Sequence, residues 1–114
     1  MELIKLKTFS EDRGDLTVIE QVPFPVKRIF WISNVDASLR GAHRHKTNRQ
    51  ACVCIKGYCE VVFKDGKTVL LNSPDKCLII EPEEWHIIHH FSDNGVLLVL
   101  CSERYNTEDY IWKI

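Results

Sequence analysis

Two histidines set two residues apart, His43 and His45, stand in the segment Arg40-Gly41-Ala42-His43-Arg44-His45, followed by Gln50 and then Gly57. In an extended strand, residues i and i+2 project from the same face, so both imidazoles enter one small volume. Arg40 lies close in sequence, and Gln50 follows after four residues, at the start of what reads as the next strand. Two imidazoles, a guanidinium and an amide around one point can hold an anionic or polar ligand and move protons near neutral pH. A second group of histidines follows a proline turn, in Pro82-Glu83-Glu84-Trp85-His86-Ile87-Ile88-His89-His90. Strict alternation puts His86 with Ile88 and His90 on one face, and Trp85 with His89 on the other. His86, nearest the strand start, is the member expected at a cavity mouth. Trp85 beside it is either core or a ring that stacks on a sugar or base at the rim. For His89 and His90 the plainer reading is surface or hydrogen-bonded core. Arg13-Gly14 alone reads as a turn with a solvated charge.

The elements that must position these groups are short and β-type. Ile4 to Phe9 alternates apolar and polar residues until Glu11-Asp12-Arg13-Gly14 breaks it. Leu16 to Ile19, Arg28 to Ile32, the His43/His45 segment, Ala51 to Ile55 and Cys59 to Phe63 follow. Lys64-Asp65-Gly66-Lys67 is a hairpin signal, and it leads to Thr68 to Leu71, Cys77 to Ile80, Trp85 to His90 and Val96 to Leu100. A helical apolar period is conceivable only around Thr107 to Ile114. About ten short strands at turn-limited spacing imply an all-β double-sheet roll or barrel, with an open mouth between the sheets for a ligand. No internal repeat or low-complexity linker interrupts the chain, so residues 1–114 are expected to form one domain.

Composition excludes other classes. The 114 residues are 45% hydrophobic and 27% charged, with a formal net charge of -1. Scattered basic residues and near-neutral charge speak against nucleic-acid or membrane-surface binding. The five cysteines are odd in number, lie among Val, Ile and Leu, and form no C-x-x-C pair. They read as small apolar fillers of a reduced core. Met1-Glu2-Leu3-Ile4-Lys5 opens no continuous apolar stretch of a secretory signal, and no run is long enough to span a bilayer. A cytoplasmic location is expected.

The spacing of H-x-H, four residues, Gln50, six residues and Gly57 resembles the first motif of cupins. Metal-binding cupins carry Glu at the Gln50 position, with a later His that His86 would match. A neutral amide contributes no charge to offset a divalent ion and is a poor ligand for a hard cation. The likeness extends over nearly the whole chain, through Asp12-Arg13-Gly14-Asp15-Leu16, Ile19-Glu20, Pro25-Val26-Lys27-Arg28, Arg40 to Lys46, Leu71-Asn72-Ser73-Pro74, Pro82 to His86, His90-Phe91-Ser92, Val99 to Ser102 and Glu108-Asp109-Tyr110-Ile111. On these segments the chain resembles the WxcM-like nucleotide-sugar 3,4-ketoisomerases, which act on dTDP-4-keto-6-deoxyglucose. It departs from them at Phe30-Trp31, where Tyr is frequent, at Arg49, where Glu is common, and in stopping soon after Ile111.

The resemblance implies a cupin double-stranded β-helix of two antiparallel sheets, metal-free and without a cofactor, and a homodimer with exchanged N-terminal strands. It implies His43 as the principal base and His45 as its partner. Arg13, Arg40, Gln50, Trp85 and His86 would contact or frame the dTDP-linked sugar. Arg13 with His86 is similar to the branch whose product is the 3-keto-6-deoxygalactose form, and a role in deoxyamino-sugar biosynthesis is the implied setting. Moving a ketone from C4 to C3 needs one proton taken from C3 and one returned to C4, which histidine near its ordinary pKa can do. Two alternatives stay open: a metal-binding cupin enzyme, and a cupin that binds a nucleotide sugar without turning it over.

Overall fold

The computed structural model describes residues 1–36 and 40–113, Arg40 by its backbone. The described residues form β1 (Glu2–Lys5), β2 (Lys7–Glu11), β3 (Gly14–Val18), β4 (Arg28–Ile32), β5 (Arg40–His45), β6 (Gln50–Lys56), β7 (Cys59–Phe63), β8 (Thr68–Leu71), β9 (Lys76–Ile80), β10 (His86–His89), β11 (Val96–Cys101) and β12 (Tyr110–Ile111). One turn of 3-10 helix, Thr107–Asp109, precedes β12. Two five-stranded sheets, in the orders β1-β9-β6-β11-β4 and β12-β5-β10-β7-β8, face each other, and β2 and β3 form a separate ribbon. All the pairings are antiparallel. This is the double-sheet, all-β roll that the strand spacing implies.

Alternation explains most of the packing. In β7 the side chains of Cys59, Val61 and Phe63 are buried, and in β8 so are Val69 and Leu71, while Thr68 and Leu70 face solvent. These inward residues meet Cys52, Cys54, Leu78, Ile80, Ile88, Leu97, Val99 and Cys101 between the sheets. Strand β6 is buried on both faces, because a second apolar cluster covers the outside of β6, β9 and β11. There Leu6, Ala51, Val53, Cys77, Ile79 and Leu100 pack under Ile4, Ile19, Val22, Phe24 and Leu98. A strand covered on both sides reads as an unbroken apolar run, which is how residues 51–55 read. All five cysteines are free and buried, four in the inner cluster and Cys77 in the outer one. Burial pushes the Cys77 thiol up to about 11, so it stays protonated and inert.

Two segments depart from the alternation pattern. Residues 4–9 are not one strand: buried Leu6 divides β1 from β2, its amide bonding to the Asp75 carbonyl at 2.6 Å. β1 then pairs with β9, while β2 leaves the body of the protein and pairs with β3. The tail after residue 106 is not an amphipathic helix. Asn106 caps the single 3-10 turn through the Glu108 amide, and Tyr110–Ile111 then joins the edge of β5 opposite His45 and Arg44.

Candidate active site

The site is built on β5 and β10, joined at an irregularity. His86 pairs with His43, but Ile87 pairs with Gly41, so Ala42 is an extra residue in β5. Gly41 and Ala42 both have positive φ, 79° and 58°. A Cβ on Gly41 would sit 3.2 Å from the His86 carbonyl oxygen, so a side chain there would crowd the strand that carries His86. Ala42 takes the left-handed conformation at a cost of about 1–2 kcal/mol, the kind of local strain that a functional site retains. Beyond this bulge His43 and His45 resume the alternation on one side of β5, His43 lining the cleft and His45 buried behind it.

That cleft, of about 850 Å3, is lined among others by Arg28, Phe30, His43, Gln50, His86 and Tyr110. His45 and His86 are buried behind or within its wall, and His43 is half-buried. The Nε2 atoms of His43 and His45 lie 3.2 Å apart, and the rings meet edge to face. His43 Nδ1 is 3.0 Å from the Gly41 carbonyl oxygen. His45 Nδ1 is 2.8 Å from Oδ2 of Asp109. Asp109 Oδ1 accepts from the Thr47 amide at 2.8 Å and from the Thr47 hydroxyl at 2.9 Å. The His86 ring centre is 5.2 Å from that of His43, and its Nδ1 donates to the Glu84 carbonyl at 3.0 Å. Tyr110 and Trp112 wall the cleft, with ring centres 4.9 and 5.2 Å from His43.

The Gly41 carbonyl and the Asp109 carboxylate are acceptors only, so three consecutive hydrogen bonds need three protons on the two rings. Two neutral imidazoles carry two. The pair therefore has room for one more proton, and Asp109 supplies the balancing charge. Burial opposes that proton, together with the neighbouring imidazoles: His43 is lowered from 6.5 to about 4 by desolvation, then by His86 and His45. Desolvation lowers His45 too, against the opposing pull of Asp109, and desolvation lowers His86. Burial alone would raise Asp109, but its bonds to Thr47 and His45 outweigh that and keep it ionised. At neutral pH the site thus holds uncharged imidazoles beside a fixed carboxylate, poised to accept one proton.

The structure brings together His43, His45, Gln50 and His86. It places Trp85 elsewhere: alternation turns it away from His86, into a second hollow of about 400 Å3 with Phe63, Lys64, Asp65, Glu83 and Glu84. Its indole N–H is buried there without a hydrogen-bond partner. Arg13 sits at the tip of the β2–β3 ribbon, its exposed guanidinium 3.4 Å from Glu11. The side chain of Arg40 lies outside the described residues. Gln50 is buried at the start of β6, on the face shared with Cys52, as alternation requires. Arg49 instead forks onto Glu81 at 2.6 and 3.0 Å and donates to the Pro23 carbonyl, tying the outer layer to β9. Asp109, Tyr110, Trp112 and Arg28 are site residues that spacing did not reveal. Asp109 lies 64 residues from His45, and its only sequence signal is its place in the Glu108-Asp109-Tyr110-Ile111 segment that carries part of the family resemblance.

Comparison with known proteins gives these groups a context. The TDP-4-oxo-6-deoxy-α-D-glucose-3,4-oxoisomerase of Aneurinibacillus thermoaerophilus is 37% identical over 117 residues, covering 96% of this chain and 84% of that protein. A mutant of the 3,4-ketoisomerase QdtA from Thermoanaerobacterium thermosaccharolyticum, solved with TDP-4-keto-6-deoxyglucose, superposes with a TM-score of 0.94. It is 36% identical, over 98% of this chain and 86% of its own. The WlaRB TDP-quinovose 3,4-ketoisomerase of Campylobacter jejuni gives a TM-score of 0.93 at 33% identity, over 98% and 92% of the two chains. The family model for FdtA, WxcM-like, C-terminal, matches residues 1–114. The chain belongs to this FdtA family of WxcM-like C-terminal domains.

Proposed function

We propose that this protein is an isomerase that converts TDP-4-keto-6-deoxyglucose to a TDP-3-keto-6-deoxyhexose within a single domain of residues 1–114. The observation that carries this reading is the His43–His45–Asp109 chain, opening onto a cleft in a chain 37% identical to a named oxoisomerase. His43 takes the proton from C3, next to the C4 carbonyl. Electrons of the broken C–H bond form the C3–C4 double bond of an enediolate, with the charge on O4. The O3 proton passes to O4, the electrons of the double bond take a proton at C4 as the C3=O bond forms, and the ketone stands at C3 beside a C4 hydroxyl. The reaction is redox-neutral and proceeds by proton transfers alone, so it needs no net oxidant or reductant.

The proton count explains why this pair suits the step. The abstracted proton completes the hydrogen-bond chain from Gly41 to Asp109, so the enzyme gains an interaction as the substrate loses its proton. His45 spreads the added charge toward Asp109; Gln50 and His86, which line the cleft, are assigned with Arg40 to meet the sugar oxygens. A positioned base contributes roughly 10²–10⁴-fold, so donors to the enediolate oxygen supply the rest. Gln50 lends no charge to a divalent ion, which is the argument against a metal-dependent reading.

The dimer expected from the family fits the β2–β3 ribbon. All of β2 is exposed, including Phe9, and so is Leu16 on β3. Strand β4 ends the first sheet with Ile29 and Trp31 exposed at 58% and 67%. A two-stranded ribbon is marginal alone in water, so these surfaces are assigned to a second copy, with Arg13 carried toward the partner's cleft. Trp31→Glu is expected to convert dimer to monomer in light scattering. Among the described residues no helix is long and apolar enough to cross a membrane, and a cytoplasmic location is our reading.

Proton NMR of TDP-4-keto-6-deoxyglucose with the metal-stripped protein in deuterated water tests the assignment. A 3-keto product carrying deuterium at C4 is expected, and the ring couplings should report the galacto form inferred from Arg13 and His86. An unchanged substrate, or binding without deuterium exchange, would overturn it in favour of a binding cupin. Turnover that returns only with added metal would favour the metal-dependent one.

A further inference from the structure

Strand β10 carries a second set of chemistry-bearing groups on its other face. Glu60 on β7 is the direct cross-strand partner of His89. Such pairs on one face of an antiparallel ladder keep their side chains within contact distance. His90 follows the end of the strand with φ 52°, a left-handed turn uncommon outside glycine. This turn breaks the alternation that would have put His90 beside Ile88. It folds the imidazole back against His89, with ring centres 3.9 Å apart and planes within 7°. His90 Nδ1 is 2.5 Å from Glu60 Oε1, and His89 Nε2 is 4.0 Å from the same oxygen. One donor atom from each of the three residues lies within 4.8 Å of the others.

We propose that Glu60, His89 and His90 form a surface site for a borderline-soft divalent transition cation of the zinc class. Two imidazoles and one carboxylate are a donor set that zinc accepts, leaving a fourth position for water. Calcium and magnesium prefer all-oxygen shells, so the two ring nitrogens select against them. Zinc–ligand distances of about 2.0–2.2 Å and in-plane lone pairs require one ring to swing out of the stack toward the ion, which the exposed His90 side chain can do. The ion takes the place of the proton between His90 and Glu60, and a neutral His90 ring then carries its proton on Nε2. This site is separate from the cleft: His86 and Ile88 point inward from β10, while His89 faces outward. It therefore does not rest on the isomerase reading. Its occupation would cross-link β7 to the end of β10.

Isothermal titration of the metal-stripped, full-length protein with Zn2+ tests the site, read against three outer variants and one inner one. Glu60→Gln, His89→Gln and His90→Asn are expected to weaken binding by about tenfold or more each. Asn tolerates the left-handed backbone at position 90, so that variant removes a donor without forcing the turn. His43→Asn should leave this binding in place, and Zn2+ should raise Tm in wild type but not in Glu60→Gln. No binding to wild type would overturn the proposal. So would binding that survives all three outer variants, or that is lost with His43→Asn instead.

Discussion

Both faces of β10 carry histidine, yet the two faces hold it very differently. On the inner face His86 meets His43 and His45, and the rings are fixed by Glu84, Gly41 and Asp109. Desolvation keeps these rings uncharged, and one carboxylate waits behind them. On the outer face His89 and His90 lie against each other and against a single glutamate, in contact with water. Histidine content says little about role. What separates the two groups is the depth of burial: His45 and His86 are buried, while His89 is half-buried and His90 exposed.

The sharpest test of this contrast is to remove the inner base. His43→Asn keeps a polar side chain but no basic nitrogen, and kcat should fall by about 10²–10⁴-fold. The second test reaches the inner group through its support. Asp109→Asn should cost on the order of 10²-fold in kcat, because the charge that balances the added proton is gone. Denaturant unfolding should also show a loss of about 1–3 kcal/mol, since buried groups around residue 109 lose a charged partner.

A third test uses pH. His43 binds its proton near 4 when folded and near 6.5 when unfolded, so the unfolded chain holds more protons between those values. Stability should therefore rise from pH 4 to pH 6.5 and level off above, and His43→Asn should flatten part of that rise. On the same grounds, kcat/KM should hold through neutral pH and drop only on the acid side, well below 6.5. The smallest effect is expected outside: in metal-free buffer, Glu60→Gln or His89→Gln should change kcat less than twofold and stability by about 0.5 kcal/mol or less. A large drop in kcat from either would erase the distinction between the two faces.

Much of this was legible because a strand counts in twos. His43 with His45, Gln50 with Cys52, and His86 with Ile88 fell on the faces that alternation assigns. The Asp65-Gly66 turn and its flanking strands appear as their residue types require. Alternation fails where the backbone leaves the β region. Parity puts His90 with His86, but His90 turns away at φ 52°. Trp85 obeys parity, opposite His86, and so lines the second hollow rather than the cleft rim. The break at Leu6 was invisible because its cause, the Asp75 carbonyl, is remote in sequence. Asp109 was hidden for the same reason. Its partners, His45 and Thr47, are more than 60 residues away, and no local period connects them.

That remote link has a consequence for how the protein fails on heating. The carboxylate behind His45 is held by a single 3-10 turn and the two-residue strand Tyr110–Ile111 at a sheet edge. Long-range contacts of this kind form late in folding, and short edge segments fray at low free energy. The tail should therefore peel away while the two large sheets remain intact. Warming would then silence the enzyme several degrees before circular dichroism registers any loss of β structure.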